Sequence, residues 1–161
     1  MAKVLGLGLG KGLSMAPSIM RVSMGRDTDE AEDRQEELDF KPDMEAVGDF
    51  VGHVLIAAAQ VHMLHFQASL YSKHKILNKL YDQLPEDIDS IAEEFQALYE
   101  NIPSYNSYVS FNQNPIVYVQ DLLDFVHENR QCMGPHSSMQ SLIDILESTI
   151  KSTLYKLKKL N

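Results

Sequence analysis

From about residue 43 onward, apolar residues recur at intervals of three and four, which places them on one face of an α-helix. Val47, Phe50, Val51, Val54, Leu55, Ala58, Val61 and His65 follow this period and predict a first helix over about 43–71, entered through Lys41-Pro42-Asp43. Ile76, Leu77, Leu80, Leu84, Ile88, Ile91, Phe95 and Leu98 mark one side of a second helix over about 73–100. Pro85 falls inside it. An interior proline removes a backbone donor and crowds the carbonyl four residues earlier, at a cost of about 3 kcal/mol or a bend, so a kink or a break is expected there. Asn114 as N-cap and Pro115 at the first position open a third helix that ends near Gly134. A fourth starts at Ser137 or Ser138 and carries the stripe Leu142, Leu146, Ile150, Leu154 and Leu157. Glu147 and Lys151 are an i,i+4 pair on it, and the lysines of its last turns suit the negative end of the helix dipole.

No alternating pattern competes with these helices, and no internal repeat is present. Residues 101–114 are turn-rich, as in Ile102-Pro103-Ser104-Tyr105-Asn106-Ser107, and predict a long crossover with room for one short helix. Two long helices, a long crossover and two more helices describe an all-α, ferritin-like four-helix bundle over residues 43–161. Residues 1–42 read as an extended or partner-bound arm. Gly6, Gly8, Gly10, Gly12 and Pro17 oppose regular structure, and residues 27–39 hold eight acids against the single Arg34. The glycines do not make a phosphate loop: Leu5 stands where that motif needs glycine, and Gly12 where it needs serine or threonine.

Composition narrows the function classes. The chain of 161 residues, 44% of them hydrophobic, suits one domain with a core of its own. No unbroken apolar run reaches about 18 residues, so no membrane span is expected. The net charge of −9 opposes nucleic-acid and membrane partners. The single cysteine, Cys132, excludes an internal disulfide and fits a reducing compartment.

The chemistry concentrates in the first two helices. Three of the six histidines, His62, His65 and His74, cluster in sequence. The second helix carries Asp82, Glu86, Asp89 and Glu93 at spacings of four, three and four, which lie along one face. Such a stripe is a solvated surface unless it meets a histidine-bearing helix, where imidazole and carboxylate together suit iron, manganese or zinc. No Glu-x-x-His pair occurs anywhere, which excludes the usual di-iron centre inside one bundle.

A different pattern is present. His62 to His74 is 12 residues, His74 to Asp89 is 15 and Asp89 to Glu93 is 4. This spacing resembles the ferroxidase motif of the Dps family, the miniferritins of starved bacteria. Glu86-Asp87-Ile88-Asp89-Ser90-Ile91-Ala92-Glu93-Glu94 looks like that family's acidic segment. A closer likeness is to the short Dps-like proteins of tailed bacteriophages, carried by His62 and His65, by Tyr71-Ser72-Lys73-His74-Lys75 and by Ser152-Thr153-Leu154-Tyr155-Lys156-Leu157-Lys158. The resemblance implies iron bound between subunits of a homo-oligomer. His62 and His74 of one copy would face Asp89 and Glu93 of another, with His65 as a further ligand or a core histidine. Three departures stand out: Met63 follows His62 where the family has tryptophan, Pro85 lies between His74 and Asp89, and a glycine-rich then acidic arm replaces a lysine-rich tail.

Two functions follow as expectations. One is a Dps-like protein that binds Fe(II) and oxidises it at shared sites. The other is a structural component of a phage virion, its arm gripping neighbouring virion proteins, with or without the metal site. The expected location is the bacterial cytoplasm or the virion.

Overall fold

The structure, a computed structural model, describes residues 39–105 and 108–160. Among them are four α-helices: α1 (Met44–Gln67), α2 (Tyr71–Leu98), α3 (Pro115–Asn129) and α4 (Ser137–Lys159). A short 3₁₀ segment, Arg130–Met133, follows α3, and the described residues contain no strand. The fold is all-α, as the periodicity predicts. The arm expected over residues 1–42 lies, as far as residue 38, outside the described residues. Packing on the bundle begins before Asp43, because the half-buried Phe40 ring sits 5.4 Å from that of Tyr99.

The helix starts follow from local chemistry. The Asp43 carboxylate accepts from the backbone N–H groups of Glu45 and Ala46 at 3.1 and 3.3 Å, satisfying donors that have no partner within the helix. The Asn114 side chain does the same for Ile116 and Val117 at 3.0 and 3.4 Å, with Pro115 beside it. At α4 the Ser138 hydroxyl donates to the Glu94 carboxylate and accepts from His136 Nδ1, which ties the start of α4 to the end of α2.

Three expectations are corrected. α1 ends at Gln67, four residues early, with Ala68 extended, and α2 starts at Tyr71. Of the kink or break expected at Pro85, the break is absent, because α2 runs on from Tyr71 to Leu98. Pro85 is exposed, so water can reach the backbone where an amide is missing, while Leu84 and Ile88 on either side are fully packed. Leu55, placed on the core stripe by its period, is 45% exposed. The crossover holds no helix among its described residues.

The topology can be traced from contacts at the two ends. α1 and α2 form a hairpin about residues 68–70. Ser138–Glu94 at one end, and a furrow shared by Lys79 and Lys156 at the other, set α4 antiparallel to α2. Lys158–Gln120 and Arg130–Gln140 set α3 antiparallel to α4. Cys132–Ala46 and the stacked rings of His53 and Phe125 set α3 antiparallel to α1. Every neighbouring pair is therefore antiparallel, and the chain must cross the length of the bundle between α2 and α3. The connection does so along α1. Ser104 lies against Gly48, the Val109 carbonyl accepts from the Gln60 amide at 2.9 Å, and Pro115 arrives beside Leu64 and Gln67. A Cβ on Gly48 would collide with the Ser104 carbonyl, so the crossover can lie this close only to a residue without one.

The core is continuous through all four helices, with Phe50, Leu77, Leu80, Leu84, Ile88, Phe95, Met133, Met139, Ile143 and Ile150 fully enclosed. α1 is long and apolar enough to cross a membrane by length and composition. Its burial against α2, α3 and the crossover accounts for that composition in a bundle.

Candidate functional site

The three clustered histidines meet where α1 turns into α2. His62 and His65 occupy the last turns of α1, and His74 the first turn of α2. The two-helix turn brings His65 against His74, with ring centroids 3.7 Å apart. A reciprocal pair of hydrogen bonds fixes them: His65 Nδ1 donates to the His74 carbonyl at 2.9 Å, and His74 Nδ1 donates to the His65 carbonyl at 3.2 Å. A carbonyl can only accept, so both Nδ1 atoms carry protons and both Nε2 atoms keep a lone pair in the neutral ring. Metal-binding histidines are commonly oriented in this way, the nitrogen remote from the metal donating to a backbone carbonyl.

His62 occupies a different place from the one its spacing suggests. It meets His65 at 5.8 Å and stacks on Tyr81 at 3.9 Å and 14°. The ring in contact with His74 is that of His65, and Tyr81 presents its edge to His65 at 5.1 Å. His65 is buried, so it is a core residue by position, and its hydrogen bond among the described residues uses Nδ1 alone. The twelve-residue spacing pairs His62 with His74, and the structure puts His65 there instead. The signal that favours His65 is the nine-residue interval from His65 to His74, which spans a short turn between two helices.

The carboxylates are not assembled with these histidines in one chain. Asp89 and Glu93 are exposed on α2, and Asp82 accepts from the Asn78 amide at 2.5 Å. Fifteen residues of helix separate His74 from Asp89, about 22 Å at 1.5 Å per residue. One straight helix cannot close that gap. Among the described residues, no three His, Cys, Asp or Glu side chains come together closely enough to hold a metal ion. A site joining His74 to Asp89 and Glu93 thus needs two copies of the chain. The surface beside the histidine pair is apolar: Phe66 is 72% exposed and Tyr71 77%, with Met63 and Leu70 also exposed.

The buried charge lies elsewhere and is fully paired. Glu147 on α4, 3% exposed, receives Arg130 at 3.1 Å, Lys151 at 2.5 Å and His127 Nδ1 at 3.3 Å. Burial alone would raise its carboxyl. Hydrogen bonds from Lys151 and His127, with the charges of Lys151 and Arg130, outweigh that and hold it below the ordinary glutamate value. Arg130 is held in turn by Asp144 at 2.7 Å and the Gln140 side chain at 2.8 Å, so this network locks the 3₁₀ segment onto α4. His127 is exposed and is also one arm of this network. Cys132 is partly buried, and burial with the nearby Asp43 pushes its thiol up to about 12.

These features define a helical-bundle protein with an imidazole pair oriented at one end and acids displaced along the adjoining helix. The chain belongs to a family of unknown function, DUF5856, whose model matches residues 65–157. That match begins at His65 and takes in His74, Asp89 and Glu93, and it leaves out His62. No curated protein and no solved structure matches the chain.

Proposed function

We propose that this protein is a Dps-like, ferritin-like iron-binding protein that takes Fe(II) as substrate at sites shared between two copies of the chain. One observation carries the reading: His65 and His74 are clamped through Nδ1 by each other's carbonyls, which leaves each Nε2 at the end of the bundle without a hydrogen bond among the described residues. The all-antiparallel arrangement with a lengthwise crossover supports the ferritin-like assignment. The exposed apolar rim supports a partner copy, and Asp89 and Glu93 of that copy supply the oxygen donors that iron prefers. Fe(II) held there would be the substrate, two ions giving one electron each to one hydrogen peroxide, which takes up two protons and leaves as two waters. The chain's own groups do the rest: the carbonyl clamp fixes each imidazole's tautomer and ring plane, and Tyr81 and His62 wall the pair from the side.

The test uses Co(II) as a redox-inert probe read by its absorption, and peroxide-driven Fe(II) oxidation read by ferric absorbance. His74→Ala and Asp89→Ala should each abolish both signals. Unfolding and refolding the two variants together should restore about a quarter of the sites, since about half of the dimers are mixed and each mixed dimer carries one intact histidine set facing one intact carboxylate set and one site that lacks both. Restoration of none would show that the site is not shared. Full Co(II) binding by both variants would remove the metal reading altogether.

A further inference from the structure

A cavity of about 230 Å³ opens between α1, α3 and the last part of the crossover, lined by His53, Tyr108, Val109, Ser110, Tyr118 and Asp121. One polar group of its lining is buried without a partner. Tyr118 is 3% exposed, and its hydroxyl makes no hydrogen bond among the described residues. Gln60, which does not itself line the cavity, holds a second buried oxygen, Oε1, with no partner among the described residues, and its amide nitrogen donates to the Val109 carbonyl of the cavity wall. Orphaned buried oxygens are rare in folded proteins and mark places where something outside the chain completes the bonding.

The missing partner has a definite chemistry. Asp121, and Asp49 beside His53, form no ion pair among the described residues, and neither lysine nor arginine lines the cavity. Burial lowers the His53 pKa against the opposing pull of Asp49, so this imidazole is neutral near pH 7 and offers a ring nitrogen as acceptor. Burial, and then Asp121, hold the Tyr118 phenol protonated. The wall is thus rich in acceptors, negative, and faced with aromatic rings, His53 being stacked on Phe125 at 3.5 Å. What it lacks is a cationic donor. Aromatic faces add to the attraction of such a guest.

We propose that this cavity binds a primary alkylammonium ion, its N–H groups shared among the Asp121 carboxylate, the Tyr118 oxygen and His53, and its carbon chain lying against Tyr108 and Leu122. At roughly 30 Å³ for each water-sized group, the volume holds about seven such groups, which admits a chain of four or five carbons with its ammonium head. The site is separate from the histidine pair and stands whether or not that pair binds iron.

The experiment titrates the full-length protein with n-butylammonium chloride and, separately, tetramethylammonium chloride, following backbone amide resonances. Butylammonium should give saturable shifts at Val109, Tyr118 and Asp121. Tetramethylammonium, equal in charge but without an N–H donor, should bind about tenfold more weakly, the loss expected for charge-assisted hydrogen bonds. Asp121→Asn should weaken butylammonium by a similar factor. Tyr118→Phe, which removes only the orphaned hydroxyl, should fold and also weaken it. Equal binding of the two cations, no saturable shift at these residues, or unchanged affinity in folded Tyr118→Phe would each overturn the proposal and leave water as the cavity's occupant.

Discussion

Glu147 shows how a residue can be apolar by position and charged by partner. It lies next to Leu146 on the buried side of α4, where an ionised carboxylate is tolerated only because Arg130, Lys151 and His127 converge on it. Its folded pKa is depressed, so the stability it contributes is present above the unfolded glutamate value and is lost as pH falls through the folded pKa. Glu147→Gln should therefore lower stability at pH 7, by about 2–3 kcal/mol for the charge-assisted bonds it removes, and flatten the loss of stability below about pH 4.5; urea unfolding across pH 3–7 reads both. Cys132 yields a second expectation. With its thiol pushed up to about 12, it should resist iodoacetamide at pH 8 in the folded protein and react on unfolding, which mass spectrometry will show. At this scale the sequence was partly legible. The histidine cluster and the acidic face stand out by spacing alone. His62 and His65 differ by three residues, close to one turn, so either could face His74, and the short turn after Gln67 decides for His65.

The helices themselves were the legible elements, because long apolar periods and strong caps at Asp43 and Asn114 leave little choice. Ends without such signals were misplaced. Ala68-Ser69-Leu70 contains neither glycine nor proline, and only the return of α2 onto the core forces the chain to turn there. Pro85 shows the opposite case, a strong local signal that does not end the helix where Leu84 and Ile88 pack on either side. Pro85→Ala should leave the helix in place and raise stability by up to about 3 kcal/mol, the penalty of proline in a helix interior, which a higher unfolding temperature would reveal. An unchanged or lower temperature would mean that the backbone around Tyr81 is adapted to the proline. Gly48→Ala should act in reverse. The added Cβ meets the Ser104 carbonyl, a backbone atom, and overpacking of this kind costs about 1–3 kcal/mol. The damage should concentrate in the crossover, with faster amide exchange at residues 102–105.

On the scale of the whole molecule, the apolar rim beside the histidine pair predicts self-association. Phe66→Asp places a charge at its most prominent ring and should convert an assembly to single chains in sedimentation, with the helical signal unchanged. The lengthwise crossover has a further consequence, for how the chain assembles itself. α1 with α2, and α3 with α4, are each sequence-local hairpins, whereas α1 meets α3 and α2 meets α4 only across long stretches of chain. Local pairs close early and distant ones late. The two hairpins are thus semi-independent halves whose joint is the bundle core itself, and the covalent strap between them serves mainly to keep the halves at high mutual concentration. Two separately expressed pieces, residues 1–106 and 107–161, should then find each other in the cell and copurify as a helical complex, a protein divided in two that still knows how to be one.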